Sequence, residues 1–173
     1  MDGLDIRPAA ATEAQVAALI AAHGAHSAAH SPDTDDHTLD ADALGAPGLR
    51  VWAGEAAGRV VVIGALKDLG DGTFEVKSVH TSAAARGRGL AARMMAHLAA
   101  VARADGAAAL VLETGSDRLT GYGAARRLYE RLGYVACGAI PGYADGPASA
   151  FYRLDLARGA AAPQRLKPDA ARR

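Results

Sequence analysis

A chain of 173 residues, half of them apolar, is long enough for one domain with a core of useful size. Nineteen Lys and Arg balance nineteen Asp and Glu, which excludes the broad basic field that carries nucleic-acid binding. The one cysteine, Cys137, excludes an intrachain disulfide framework and a multi-cysteine zinc site, and no apolar run is long enough to span a bilayer. Neither a nucleic-acid nor a membrane partner is therefore expected. With no charged-then-apolar opening segment, a cytoplasmic location is the default. Cys137 lies between Val135-Ala136 and Gly138-Ala139 and reads as a packed strand residue.

The first element is a short strand over 4–7 that stops at Pro8. Thr12 can cap a helix running from about Glu13 toward His23 or beyond, with Val16, Leu19 and Ile20 at helical spacing. Residues 26–37 are polar and hold His26, His30 and His37; Pro32 argues against continuous helix there. His26 and His30, four apart with Asp33 nearby, raise the question of a metal, but a solvated helix end and loop is the favoured reading, and no metal is expected. Asp40 caps a short second helix through Leu44. Two strands, 49–53 and 59–66, flank a tight turn over 55–58 and form a hairpin; a third returns over 73–80 after a Gly-Asp-Gly turn. Strict alternation on that strand would point Phe74, Val76, Ser78 and His80 one way, and Glu75, Lys77 and Val79 the other.

Next come a glycine-rich loop and a helix whose core stripe is Leu90, Met94, Leu98 and Val101, with Arg93, His97 and Arg103 away from it and Gly106 at its end. An apolar strand over 107–114 is consistent with burial in a parallel pair. Ala124, Ala125, Leu128 and Leu132 give the inner face of a further helix ending at Gly133. A strand from Tyr134, a loop over 141–147 and a last strand over 149–156 complete the domain, taken as 1–156. Residues 157–173 have no apolar stripe and read as a disordered or loosely held tail.

The loop is Arg86-Gly87-Arg88-Gly89-Leu90-Ala91, at the start of a helix. Helix N-termini present N–H groups without intrahelical partners, glycines let a ligand approach bare backbone, and arginines pair with phosphate oxygens. A phosphate-bearing ligand is the first expectation. The dinucleotide fingerprint lacks its third glycine, because Arg93 stands there, and the P-loop Gly-Lys-Ser/Thr is absent. The stretch instead resembles the coenzyme A signature Arg/Gln-x-x-Gly-x-Gly/Ala of the GNAT N-acetyltransferase superfamily, matched by Arg86, Gly89 and Ala91. The strand before it, the strand ending Leu112-Glu113-Thr114, and Leu128-Tyr129-Glu130-Arg131-Leu132-Gly133-Tyr134 follow the family's order. Residues 64–67, 75–78, 112–115 and 143–151 look like a bacterial small-molecule acetyltransferase group within it.

That resemblance implies an α/β (α+β) fold: a mixed sheet of about seven strands, antiparallel from the second to the fourth and parallel between the fourth and fifth, flanked by about four helices. It implies an acyltransferase that moves acetyl from acetyl-CoA, without a metal, to the primary amine of a small molecule by direct attack in a ternary complex. A protein or peptide N-acetyltransferase and a non-catalytic acyl-CoA-binding regulatory module are the alternatives. Val79, His80 and Thr81 would hold the pantetheine arm, and Arg86, Gly87, Arg88, Gly89, Leu90 and Ala91 the pyrophosphate. Tyr129 stands at the general-acid position. Glu113 and Glu75 are candidate bases, with His80 a third and an ion pair with Lys77 the structural alternative for Glu75. Tyr122 replaces an Asn that many members place against the coenzyme. His30, Ser31, His37, Lys67 and Lys77 would face the acceptor, and the positive lining from Lys67, Lys77, His30 and His37 points to one bearing a carboxylate. A homodimer through late strands is expected by analogy only.

Overall fold

The computed structural model describes residues 3–31 and 38–156. Its elements are β1 (Asp5–Ala9), α1 (Ala14–His30), α2 (Ala41–Leu44), β2 (Leu49–Ala56), β3 (Arg59–Asp68), β4 (Thr73–Thr81), a 3-10 turn (Ala83–Ala85), α3 (Leu90–Ala104), β5 (Ala109–Gly115), α4 (Gly123–Arg131), β6 (Val135–Cys137) and β7 (Ser149–Asp155). Seven strands form one mixed sheet in the order β1-β2-β3-β4-β5-β7-β6. β4 and β5 are parallel and every other neighbour is antiparallel, as the family resemblance implies. His37 and the expected tail over 157–173 lie outside the described residues.

Local chemistry explains most of the boundaries. Pro8 is inside β1, opposite Trp52, and is tolerated because β1 is an edge strand. The hairpin between β2 and β3 turns on Ala57 and Gly58, both at positive φ (50° and 73°), the geometry that matches the twist of two-residue hairpins. Asp40 caps α2 by accepting from the Ala43 N–H at 2.8 Å. The expected cap of α1 is different: Glu13, not Thr12, is the N-cap, and its carboxylate accepts from the Ala10 N–H and pairs with Arg7, which also grips Glu55. α1 also runs on to His30, so the histidine-rich stretch is helix for one turn more than its polarity suggests.

Both faces of the sheet are covered. On one, Val62, Leu66, Phe74 and Val76 pack with Leu90, Met94, Met95 and Leu98 of α3. A Cβ at Gly64 would stand 2.9 Å from Met94 Cγ, so this glycine sets how closely α3 approaches β3. On the other, Ile63 and Ala65 pack with Val16, Leu19 and Ile20 of α1 and Leu44 of α2. β4 carries a bulge: Ile63 pairs with His80 but Ala65 pairs with Lys77, and Ser78 sits at φ 54°. The bulge corrects the expected alternation. Beyond it His80 turns to the α1 face, while Val79 packs on the α3 side. Cys137 is also corrected. β6 is a three-residue edge strand with all its residues exposed, so this thiol lies at the surface rather than in a core.

Candidate active site

β4 and β5 are joined at one end only. Thr73, Phe74 and Glu75 pair with Ala109, Leu110 and Val111; beyond them residues 76–81 and 112–115 diverge. The bulge at Ser78 bends β4 away. β5 is held in place by β7 along its whole length and by Arg126, which donates to the Gly115 and Ser116 carbonyls at 2.8 and 2.6 Å. The gap is a cavity of about 650 Å³. Strand backbone that would pair with a neighbour instead faces open space, which suits an extended ligand with amide groups.

At one end the cavity meets the loop. Gly87 and Gly89 stand at φ 76° and 72°, and a Cβ on either would meet nothing within 4 Å. Gly89 is the N-cap of α3 and brings no side chain to its first N–H groups. Arg86, Gly87, Gly89, Leu90 and Ala91 all line the cavity. Arg86 reaches back toward the Thr81 carbonyl at 3.4 Å. Thr81 Oγ1 is buried with no hydrogen-bond partner among the described residues. The donor set, the open glycine faces and this orphan hydroxyl fit a phosphate-ended ligand lying along β4.

Tyr129 of α4 lines the cavity and is buried. Burial, then Glu113 and Tyr152, push its phenol up to about 12. Glu113 lines the same cavity, half-buried, and accepts from Ser149 Oγ at 2.7 Å. His80 faces it from β4. Burial, with repulsion from His23, Arg86 and His26, brings this imidazole down to about 4, so it is neutral at pH 7. Glu75 is different. It is 2% exposed, does not line the cavity, and its carboxylate accepts from Lys77 Nζ at 2.8 Å and from the Tyr143 hydroxyl. The ion pair weighed for Glu75 from sequence is present.

The acceptor-side residues divide. Ser31 and Lys77 line the cavity; Lys67 lines an adjoining recess. His30 does not line it: its Nδ1–H donates to the His26 carbonyl, and its ring lies over Gly121. Tyr122 lines the cavity, and its hydroxyl hydrogen bonds with Ser27 of α1 and with Ser31, the C-cap of that helix, at 3.2 and 2.7 Å. Its ring fills the space over Gly115, where a Cβ would be 2.3 Å away. Tyr122 therefore ties α1 to the segment after β5, across the gap. Arg88 is exposed and is not among the lining residues. Sequence reasoning missed Tyr143 and the lining histidines His23 and His26; an aromatic between two prolines was the signal for the first. Among the described residues no group of three or more His, Cys, Asp or Glu is placed to hold a metal ion.

Residues 17–134 match the family model described as the acetyltransferase (GNAT) family. An uncharacterized N-acetyltransferase of Bacillus subtilis, YsnE, is 32% identical over 145 residues, 84% of this chain and 95% of its own. A solved protein of Klebsiella pneumoniae, provisionally described as an acyl-CoA N-acyltransferase, superposes with a TM-score of 0.72 at 31% identity, covering 88% of this chain and 97% of that one. The Salmonella typhimurium protein yncA, solved with its cofactor acetyl-CoA, superposes at 0.64 with 26% identity over 94% of this chain and 99% of its own. The chain belongs to the acetyltransferase (GNAT) family and is an acyltransferase.

Proposed function

We propose that this acyltransferase moves an acetyl group from acetyl-CoA to the primary amine of a small molecule, both bound at once. The observation that carries the reading is the continuity of the β4–β5 gap with the glycine loop at the start of α3, in a chain similar to a protein solved with its cofactor acetyl-CoA. The loop N–H groups and Arg86 hold the pyrophosphate, Arg88 adds charge at its rim, and backbone at Val79, His80 and Thr81 holds the pantetheine arm. When bound, acetyl-CoA supplies a thioester whose carbonyl carbon is open to an amine.

Glu113 takes the proton of the attacking amine, directly or through water. As the new C–N bond forms and the C–S bond breaks, Tyr129 donates to the departing sulfur. Glu75 holds Lys77 and Tyr143 in place from behind. The tie from Tyr122 to Ser27 and Ser31 narrows the acceptor side, which supports a small molecule rather than a chain segment.

The test is calorimetric titration with acetyl-CoA, CoA, ATP and NAD, repeated on Gly89→Val and Arg88→Ala, followed by an amine panel. Acetyl-CoA and CoA alone should bind, and both changes should weaken them. At φ 72° a β-branched residue is also strained, so native circular dichroism of Gly89→Val is the control. Binding of a nucleotide instead would overturn the reading; tight CoA binding with no acetylated amine would mark a binding module.

A further inference from the structure

Beside the main cavity, on the α1 and α2 face of the sheet, lies a shallower recess of about 370 Å³. Leu39, Leu49, Pro141 and Tyr143 wall it, and Thr38 and Lys77 line both spaces, so the two adjoin. Among the described residues, the charged ones lining the recess are Lys67 and Lys77, with no acidic side chain beside them in the lining. The strand ladder explains their position. Lys67 pairs with Glu75 and Ala65 with Lys77, which puts both ammonium groups on the face where Glu75 is buried.

One carboxylate stands under two cations. Glu75 is spent on Lys77 at 2.8 Å and on the Tyr143 hydroxyl, and Lys67 is exposed at the rim, so the described part of the recess keeps an excess of one positive charge. The inner space carries a carboxylate at its reactive end. There, among the described residues, Glu113 is the carboxylate lining the cavity, on the same sheet face, two residues beyond Val111, the partner of Glu75 on β5. A ligand reaching from one space to the other meets a carboxylate at the inner end and an ammonium at the outer end.

We infer that the acceptor is an amino-carboxylate, its amine toward Glu113 in the cavity and its carboxylate toward Lys67 in the recess. This rests on the acetyl-transfer reading and names its substrate class. The geometry also sets a length. Lys67 and Val111 are two strands apart, about 10 Å of backbone, so amine and carboxylate separated by several bonds fit better than the two ends of glycine.

The experiment uses the full chain and a homologous series: glycine, β-alanine, 4-aminobutyrate, 5-aminopentanoate and 6-aminohexanoate, each beside its carboxamide. Acetylation is followed as kcat/KM, and binding in the presence of CoA by saturation-transfer NMR. The longer acids should exceed their carboxamides by about tenfold or more, the size of one charge-assisted contact of about 1.4 kcal/mol. In Lys67→Ala that acid-to-amide ratio should fall toward one, and in Lys67→Glu it should invert. Equal use of acids and amides, or a ratio insensitive to Lys67, overturns the inference while leaving acetyl transfer standing. Lysine-dependent binding of the acids without transfer does the reverse: the recess is confirmed and the acetyl-transfer reading fails. A series that neither binds nor reacts overturns the inference as well.

Discussion

Tyr129 keeps its proton because burial disfavours the phenolate, with Glu113 and Tyr152 adding to the effect. A phenol held at about 12 is protonated at neutral pH, so in the proposed role the donor is loaded there. Complete transfer to a thiolate, whose thiol titrates near 8.5, is uphill, so in that role the useful act would be a hydrogen bond that strengthens as charge builds on sulfur. Tyr129→Phe should therefore cut turnover by roughly 10²–10³ and leave the acetyl-CoA dissociation constant within about twofold. Unchanged single-turnover rates would remove Tyr129 from the chemistry. Glu113→Gln should lower kcat/KM by a similar order; an unchanged kcat/KM would pass the proton acceptor's role to water or to neutral His80. His80 has its own signature in stability. Its folded value, about 4, lies below the ordinary 6.5, so the unfolded chain binds the proton first. Its contribution is whole above about pH 6.5 and is lost as pH falls toward 4. Urea unfolding of His80→Asn against the wild type should show a smaller loss across that window.

At the scale of elements, the tie between α1 and the segment after β5 is a fitted joint. Tyr122 packs on Gly115 and His30 on Gly121, and a Cβ at either glycine would lie within 2.5 Å of a ring atom. Gly115→Ala should cost about 1–3 kcal/mol by overpacking and swing Tyr122 off Ser27 and Ser31. In a Tyr122→Ala background the same change should cost little, and a double-mutant cycle by denaturant unfolding measures the difference; additive costs would mean the ring can move away freely. This joint was not legible in the chain, because it depends on partners about ninety residues apart. Local signals were. The spacing of Leu90, Met94 and Leu98, the capping Asp40 and the turn glycines are nearest-neighbour facts, and the elements they predict are present. The bulge at Ser78 escaped because no glycine marks the positive φ, and without it the period-2 pattern sends His80 to the wrong face. Glu75 had two readings for the same reason: whether Lys77 or the cavity claims it depends on where Tyr143 lands.

At the scale of the molecule, the sheet is two blades hinged at three register pairs, 73–75 with 109–111. One blade is β1 to β4, backed by α1, α2 and α3; the other is β5, β7 and β6 with α4. Beyond the hinge β4 is an internal edge. Its N–H and C=O groups on one side are laddered to β3, and those on the other look into the cavity. On the proposed reading, a ligand laid along that edge would act as a missing strand, bonding backbone on one blade with its phosphates on α3. Acetyl-CoA at a hundred times its dissociation constant should stabilise the fold by about 2.7 kcal/mol. The gain should be local in hydrogen exchange. Amides in 76–81 and 86–91 should slow strongly on binding, while those of β1, already paired to β2 at the far edge, should change little. Slowing confined to α4 and β7 would put the ligand on the other blade and overturn the assignment of β4 as its cradle. Because exchange reads each segment without turnover, the result separates a misplaced coenzyme from a correctly bound one that lacks its acceptor.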